Sequence, residues 1–453
     1  MKQLMKRLVF ALALTLSVLG MKQSVFAENI IYVNETTFPD KVFREAVLEQ
    51  WELNKPDDFK EDDKSTNSKT QVGVKIDADL IENIWIDSNE NHTKITNIKG
   101  IELLTKIRDI DISNYYGDKF DLSRNTELNK VAICSKKYEL SPKDFTCLKQ
   151  LRELKLSGKL LPNFDCSGLN NLGRLYIHST SDLIRLDVSK CKKMCSLSVQ
   201  ADSLVSVNLG HARPFRYVKI EGAKGLSSID VSKLVNLEQL SLSDCNIKKL
   251  DVSKSKNLKE LNLGRNRNIR TINLKYNKKL YYVNIASTSI SKLDTSSLKK
   301  LEYLEVDNAK ISSLNLRNNT KLKNLSVVNT PIKKLDVTKN KHLDGINISG
   351  SKIKSMNLKN QSKLLALSYS YGQKITYPTK IGNLFSIEID RVKKGQSIAV
   401  PSFCKGYKFY AEEGDSLKYK NNKILTSKNT KNDYEMAHFI KGDKLISFTI
   451  EYK

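Results

Sequence analysis

Several features that mark enzymes and metalloproteins are missing from this sequence of 453 residues. There is no H-E-x-x-H or G-x-S-x-G string, and the five histidines are scattered. The seven cysteines form no C-x-x-C pair, so a zinc site is not expected. We therefore predict a non-enzymatic protein with no catalytic residues, no metal and no cofactor.

Long apolar runs are also scarce. The clearest, at residues 8–19, follows a basic stretch and precedes small residues at 25–27. This order is typical of a secretory signal peptide, so residues 1–27 are predicted to be cleaved. Because no second long run follows, no membrane insertion of the mature chain is expected. The chain also has no L-P-x-T-G string, which predicts an extracellular protein associated with a cell surface at most non-covalently.

Acidic residues are outnumbered, 50 against 76 basic ones, giving a net charge of +26. The imbalance is local, because residues 28–171 carry a net charge of −5 and residues 172–372 carry +21. A positive field of this size attracts polyanions without identifying one of them. Nucleic acid is not expected as the partner, because the signal peptide predicts export.

What the sequence does contain is a repeated apolar figure with spacing i, i+3, i+5. In residues 237–263 it starts at Leu237, at Ile247 and at Leu258. Alternate residues of a strand face the same side, so the last two apolar positions point inward together, and stacked units bury what one cannot. Primary figures recur every 21 to 23 residues, at Ile107, Leu128, Leu151, Leu172, Met194, Phe215, Leu237, Leu258, Leu280, Leu301, Leu322, Leu343 and Leu364.

The segments LEQLSLSDCNI and KKLDVSKSKN, echoed in LKNLSVVNTPI and KKLDVTKNKH, resemble bacterial leucine-rich repeats with nested 10- and 11-residue periods. The resemblance covers residues 95–372, and the preceding flank resembles secreted Gram-positive proteins of this class. It implies a solenoid with a parallel sheet on one face, usually a binding surface. A column that often holds asparagine in this family lacks a continuous asparagine ladder here, because it reads Cys245, Asn266, Thr288, Ala309, Thr330 and Ser351.

We predict a β-rich α/β-type solenoid of about 13 coils at residues 107–372, flanked by two caps. Residues 28–106 form an N-terminal cap with a helix at KVFREAVLEQW and an acidic loop at 54–71, which lacks the glycine position of an EF-hand. Residues 373–453 form a small all-β C-terminal module that covers the open edge of the last coil. Of the cysteines, Cys191 and Cys195 are close enough in sequence to pair.

Another column, in the mid-cycle figure, consists entirely of Asp and Asn. Such side chains stabilise turns by accepting backbone hydrogen bonds, and a row of them could also hold cations. Both hypotheses remain open from the sequence. The column reads Asp187, Asn208, Asp230, Asp251, Asn273, Asp294, Asn315, Asp336 and Asn357.

Lysines also recur at fixed phases, and equal phase in a solenoid means the same edge or face. These stripes suit long anions such as wall teichoic acid or sulfated and sialylated glycans, or they form a solvated basic face. One set precedes primary strands: Lys193, Lys279, Lys300, Lys321 and Lys363. The other lies in the mid-cycle figure: Lys248, Lys249, Lys333 and Lys334.

Tyrosines mark the outward positions of the primary strands. Tyrosine beside a cation is favoured at protein and sugar interfaces, although rings on adjacent strands also stack merely to cover a sheet. The candidate ligand-binding residues are Tyr176, Tyr217, Lys219, Tyr281, Tyr282 and Tyr303. The sequence therefore predicts a secreted, adhesin-like protein that binds a host or microbial surface protein, with binding of an anionic polymer as the alternative.

Overall fold

A computed structural model describes residues 29–57, 59, 73–86, 94–211 and 214–453. The predicted signal peptide and most of the predicted acidic loop at 54–71 lie outside the described residues. Within them, the chain winds as a solenoid of about 13 turns with about 21 residues per turn, as the apolar figure predicts.

Each turn contributes one strand to a long parallel sheet, because the figure returns at the same phase. Neighbouring strands pair in register, so that Leu240 lies opposite Leu261, and both side chains are buried. The strands of this sheet, in spatial order, are β3 (Asn83–Ile86), β4 (Asp109–Tyr115), β5 (Lys130–Leu140), β6 (Glu153–Leu160), β8 (Arg174–Thr180), β10 (Ser196–Ala201), β12 (Tyr217–Glu221), β13 (Gln239–Ser241), β14 (Glu260–Asn262), β15 (Tyr282–Asn284), β16 (Tyr303–Glu305), β17 (Asn324–Ser326), β18 (Gly345–Asn347), β20 (Ala366–Ser370) and β22 (Leu384–Val392).

The opposite side of each turn carries the Asp/Asn column. Asp251 Oδ1 accepts a hydrogen bond from the Ser253 backbone N–H at 2.8 Å, and Asn273 does the same for Lys275 at 3.1 Å. The column thus has the turn-stabilising geometry that one of the two hypotheses predicts, and the described residues contain no group of three or more metal-binding side chains. Short parallel strands form on this side in places: β7 (Asn163–Asp165), β9 (Arg185–Asp187), β11 (Ser206–Asn208), β19 (Ser355–Asn357) and β21 (Lys374–Thr376).

Buried amides join successive turns in a column that sequence analysis did not identify. Asn319 Nδ2 donates to the carbonyl oxygens of Thr295 and Leu298, at 3.0 and 2.8 Å. Because buried backbone carbonyls need partners, each amide satisfies groups of the preceding turn. The members of this column are Asn125, Asn277, Asn319, Asn340 and Gln361.

A left-handed residue follows many of the sheet strands and turns the chain away from the sheet. Its backbone N–H then donates to a carbonyl of the next turn, as from Asp244 to Gly264 and from Asn329 to Ser349, both at 2.8 Å. Non-glycine residues rarely adopt positive φ, so its recurrence shows that the turn geometry is imposed by stacking. The non-glycine members are Asp244, Arg265, Ser287, Asn308 and Asn329, with φ of 53° to 64°.

The described part of the N-terminal flank contains one α-helix, α1 (Lys41–Asn54), together with the antiparallel pair β1 (Ile30–Val33) and β2 (Val74–Asp77). Asp40 caps the helix by accepting from the Phe43 backbone N–H at 3.1 Å. Its second oxygen accepts from the backbone and hydroxyl of Thr96, at 2.7 and 2.9 Å. The same carboxylate therefore starts the helix and ties it to the first turn.

Beyond the last regular turn the chain remains β-structured. β22 pairs with β20 and, also in parallel, with β28 (Lys444–Tyr452), which continues antiparallel to β27 (Tyr434–Lys441) and then to β24 (Lys408–Ala411). These strands extend the main sheet by hydrogen bonding. A separate antiparallel group contains β23 (Ser397–Ala399), β26 (Lys423–Leu425) and β25 (Lys418–Lys420).

All seven cysteines are free thiols. Cys191 is buried and its Sγ donates to the carbonyl oxygen of Cys166 at 3.4 Å, so its neighbour is Cys166 rather than Cys195. The pairing of Cys191 with Cys195 suggested by their spacing is therefore not present. No helix in the described part of the chain is long and apolar enough to cross a membrane.

Candidate functional site

The outward face of the parallel sheet presents two columns of side chains. In each short strand the middle residue points into the core, and its two neighbours point out. Strand register aligns these neighbours across the turns, as predicted. The first column contains Arg174, Ser196, Tyr217, Gln239, Glu260, Tyr282, Tyr303 and Asn324. The second contains Tyr176, Ser198, Lys219, Ser241, Asn262, Asn284, Glu305 and Ser326.

Three of the predicted ligand-binding residues line one depression in this face. Tyr217, Lys219 and Tyr282 line it, and its volume is about 360 Å³. Tyr303, on the next strand, lies 6.5 Å from Tyr282 between ring centroids, with the rings tilted by 43°. Tyr303 is 38% exposed and Tyr217 39%, so each keeps a large apolar surface in water. A rigid aromatic patch with a shallow depression beside it is suited to a protein ligand.

Glu260, which lines the depression, contacts another predicted residue, Tyr281. Its Oε1 accepts from Gln239 Nε2 at 2.7 Å and from the Tyr281 hydroxyl. The hydrogen bond to this carboxylate, together with burial and nearby negative charge, raises the pKa of Tyr281 to about 12. Tyr281 therefore stays neutral at physiological pH and serves to position Glu260.

Two neighbouring carboxylates, Glu305 and Asp307, lie farther along the sheet. Burial raises the pKa of Glu305, and the neighbouring Asp307 raises it further. The pKa of Asp307 is also raised by burial, although it accepts from Ser326 Oγ at 2.6 Å and from the Val328 backbone N–H at 2.8 Å. Asn284 donates to Glu305 at 2.7 Å. These acids give the face a local negative patch within an otherwise basic array.

Tyr176 is separated from the depression. It lies two strands away from Tyr217, because β10 intervenes between β8 and β12. Lys155 Nζ lies over its ring at 5.7 Å from the centroid. Lys219 in turn pairs with Glu221 at 3.0 Å. Tyr217, Lys219 and Tyr282 therefore share one depression, although Tyr282 lies three strands from Tyr217. Tyr303 joins them through its contact with Tyr282, and Tyr176 does not line the depression.

A charged column beside the tyrosines was missed by sequence reasoning. This column consists of the residue just before each sheet strand. In it, Glu238 accepts from Arg216 at 2.8 Å and from Lys259 at 2.6 Å, and Glu302 pairs with Lys323 at 2.6 Å. The signal was available, because charges of opposite sign alternate at this phase. Such exposed pairs contribute about 0–1 kcal/mol each, so they order the rim of the face more than they stabilise the fold.

The predicted lysine stripes occupy two different edges of the solenoid. Lys193, Lys279 and Lys363 lie before the sheet strands and are exposed, and each ammonium bonds to the side chain at the same phase of the preceding turn, at 2.5 to 3.2 Å. Lys300 and Lys321 are exposed in the same column. The mid-cycle set, Lys248, Lys249, Lys333 and Lys334, is exposed after the turn that leaves the sheet. The two sets therefore do not form one surface.

Comparison with known proteins supports this architecture at the level of the fold. No family model matches the sequence, and no curated protein matches it. Among solved structures, the functional domain of InlJ from Listeria monocytogenes, which includes a cysteine ladder, is 18% identical with a TM-score of 0.53, and the match covers 94% of this chain and 99% of that one. The chain has the leucine-rich-repeat fold.

Two further structures agree. An internalin, inlF, from Listeria monocytogenes is 20% identical with a TM-score of 0.57, over 74% of this chain and 96% of that one. A leucine-rich-repeat protein of Leptospira interrogans is 18% identical with a TM-score of 0.56, over 69% and 86%. The resemblance to leucine-rich repeats is thus confirmed for the solenoid and its parallel sheet.

Proposed function

We propose that the protein is a secreted, non-catalytic binding protein that uses the outward sheet face to bind a surface protein of a host or of another microbe. The observation that carries this proposal is the depression lined by Tyr217 and Tyr282, with Tyr303 in ring contact with Tyr282 on the next strand. Tyrosine buries much area at low entropic cost, because it has few rotatable bonds. The leucine-rich-repeat fold supports the proposal by holding these rings on a rigid scaffold.

The proposed organisation follows the sequence. Residues 1–27 direct export, residues 28–106 cap the N-terminal end, residues 107–372 carry the binding face, and residues 373–453 close the other end. Capping is supported by two contacts already described, the ties of Asp40 to Thr96 and the pairing of β22 with β20.

The experiment is binding of the labelled mature protein to intact epithelial and bacterial cells, with and without proteolysis of the cell surface. The double variant Tyr282→Ala/Tyr303→Ala should bind roughly 30-fold more weakly, since truncating an aromatic hot spot costs about 2 kcal/mol or more. Tyr276→Ala is the matched control, because Tyr276 is 47% exposed in a turn before the sheet strand and outside both outward columns. Binding that survives proteolysis, or that both variants weaken equally, would contradict a protein partner at this face.

A second candidate function is binding of an anionic polymer through the lysine stripes. It is favoured by the net charge of +21 in residues 172–372 and by the exposure of every stripe lysine. Retention on heparin should then weaken steeply with salt. Elution below about 0.1 M salt would show that the charge serves only solubility.

A further inference from the structure

A groove near the C-terminal end of the solenoid gathers six cations. It has a volume of about 1240 Å³, above the roughly 300–1,000 Å³ typical of small-molecule pockets. Its cationic lining residues are Lys333, Lys334, Lys352, Lys354, Lys374 and Arg391, and no acidic residue of the described chain lines it. Its size and charge suit an extended anion of several repeating units.

The stacking of the turns forces these charges together. Lys354 and Lys374 lie side by side where β19 and β21 pair, because the Lys374 backbone N–H donates to the Lys354 carbonyl at 2.9 Å. Lys333 occupies in its own turn the phase that Lys354 occupies in the next. Within the described part of the chain, none of the five lysines forms an ion pair with an acid. Their positive charges are therefore not offset by neighbouring acids, and together they attract anions.

Arg391 gives the groove a fixed wall. Its guanidinium Nη2 donates at 2.8 Å to Oδ1 of Asn329, which lies 62 residues earlier in the sequence, and its Nε lies 3.5 Å from the Asp390 carboxylate. Its backbone is left-handed, with φ of 61°, although it is not glycine. Gly350 makes room for it, since a Cβ atom there would lie 2.5 Å from Arg391 Nη2 and closer still to Asn329. The arginine is held in place by contacts that a freely rotating surface cation lacks.

The floor of the groove is equally ordered and offers groups that suit sugars. Gln373 Nε2 donates to the Ile353 carbonyl at 2.8 Å, and its Oε1 accepts from the Ser370 backbone N–H at 2.7 Å. Tyr371 is 38% exposed, while its backbone and hydroxyl are bonded to Asp390 and Ser397. An exposed, immobilised tyrosine ring can pack against the apolar face of a sugar ring, which a bare phosphate chain lacks.

We propose that this groove binds a short, repeatedly sulfated sugar chain of the heparin type. The inference narrows the second candidate function to one site and does not involve the tyrosine face. Sulfate groups on successive sugars would be met by the lysines of successive turns, and Tyr371 would pack against a sugar ring.

The test is titration of the full chain with a heparin octasaccharide, its desulfated counterpart and polyphosphate of equal charge, at several salt concentrations. The groove variant K334Q/K354Q/K374Q is compared with K233Q/K254Q/K339Q, which removes the same charge from exposed lysines outside both the groove and the stripes. All six lysines are exposed, so both variants should fold, and thermal midpoints within about 2 °C of the parent verify this.

The groove variant should lose at least about tenfold affinity at physiological salt. Its log–log salt slope should fall by about 2 to 3, because each lost contact removes roughly 0.7–0.9. The control should change less than about threefold, and the desulfated octasaccharide should not bind. Equal losses in both variants would overturn the groove in favour of attraction by the overall positive charge, and equal affinity for polyphosphate would overturn the sugar assignment. In either case the Tyr282→Ala/Tyr303→Ala cell-binding result is unaffected.

Discussion

Replacing Asn319 with leucine should destabilise the solenoid, although it changes the side-chain volume only slightly. The side chain is fully buried, and three of its hydrogen bonds cross between turns. Two are donated to the carbonyls of Thr295 and Leu298, and one is accepted from Thr295 Oγ1 at 2.8 Å. Leucine has a similar volume and occupies the same column naturally at position 298, so it should leave little cavity.

The cost follows from those three bonds. Each buried hydrogen bond contributes about 0.5–1.5 kcal/mol net. Both carbonyls keep one partner in the variant, because the Leu298 backbone N–H donates to Thr295 at 2.9 Å and the Leu301 backbone N–H donates to Leu298 at 3.1 Å. The Thr295 hydroxyl has a single hydrogen, and in the variant it can donate that hydrogen to the Asn315 carbonyl, whose oxygen lies 2.9 Å from Oγ1, which limits the loss there. The loss of the two donated bonds is therefore expected to decrease the free energy of unfolding by about 1–3 kcal/mol.

Urea unfolding followed by circular dichroism measures this decrease. Asn318→Leu is the matched control, because Asn318 is exposed and makes one bond of 3.2 Å to the Ser296 carbonyl. It should change the free energy of unfolding by less than about 0.5 kcal/mol. If Asn319→Leu were no more destabilising than Asn318→Leu, the buried amide column would not hold the turns together.

Three further predictions concern other parts of the molecule. Asp40→Ala should lower the free energy of unfolding by about 1–3 kcal/mol, since it removes both the helix cap and the hydrogen bonds to Thr96. It should also speed proteolysis within residues 41–54, and unchanged proteolysis would contradict the role of these bonds. The hydrogen bond from the Ser253 backbone N–H lowers the pKa of Asp251 from its usual 3.8. The stability that the Asp251 carboxylate contributes is therefore complete above about pH 4 and is lost as the pH falls through the lowered pKa. Asp251→Asn should remove this loss of stability in acid, which urea unfolding at a series of pH values would measure. Tyr281 should ionise near pH 12 in an ultraviolet titration, and Glu260→Gln should lower that value.

The turns are predictable from the sequence because their core is made by one apolar figure at a constant phase. The same phase aligns Tyr282 with Tyr303 and places Asp251 and Asn273 in one turn-stabilising column. Helix α1 is predictable for a similar reason, since a helical apolar pattern follows the capping residue Asp40.

The features that the sequence does not predict depend on contacts that vary from turn to turn. The buried amide column is interrupted by Leu298, so it does not read as a repeated residue. The left-handed turn accepts residues as different as Asp244 and Arg265, because the conformation is imposed by stacking and not by side-chain preference. The contact between Arg391 and Asn329 joins positions 62 residues apart, where no local pattern operates.

The most direct test of the binding face is photo-crosslinking on intact cells, with a photoreactive phenylalanine analogue placed at position 303 or, as control, at 276. A protein partner on the sheet face predicts a protease-sensitive adduct from position 303 and none from position 276. Adducts from position 276 alone, or none from position 303 while the cells still bind the protein, would contradict it.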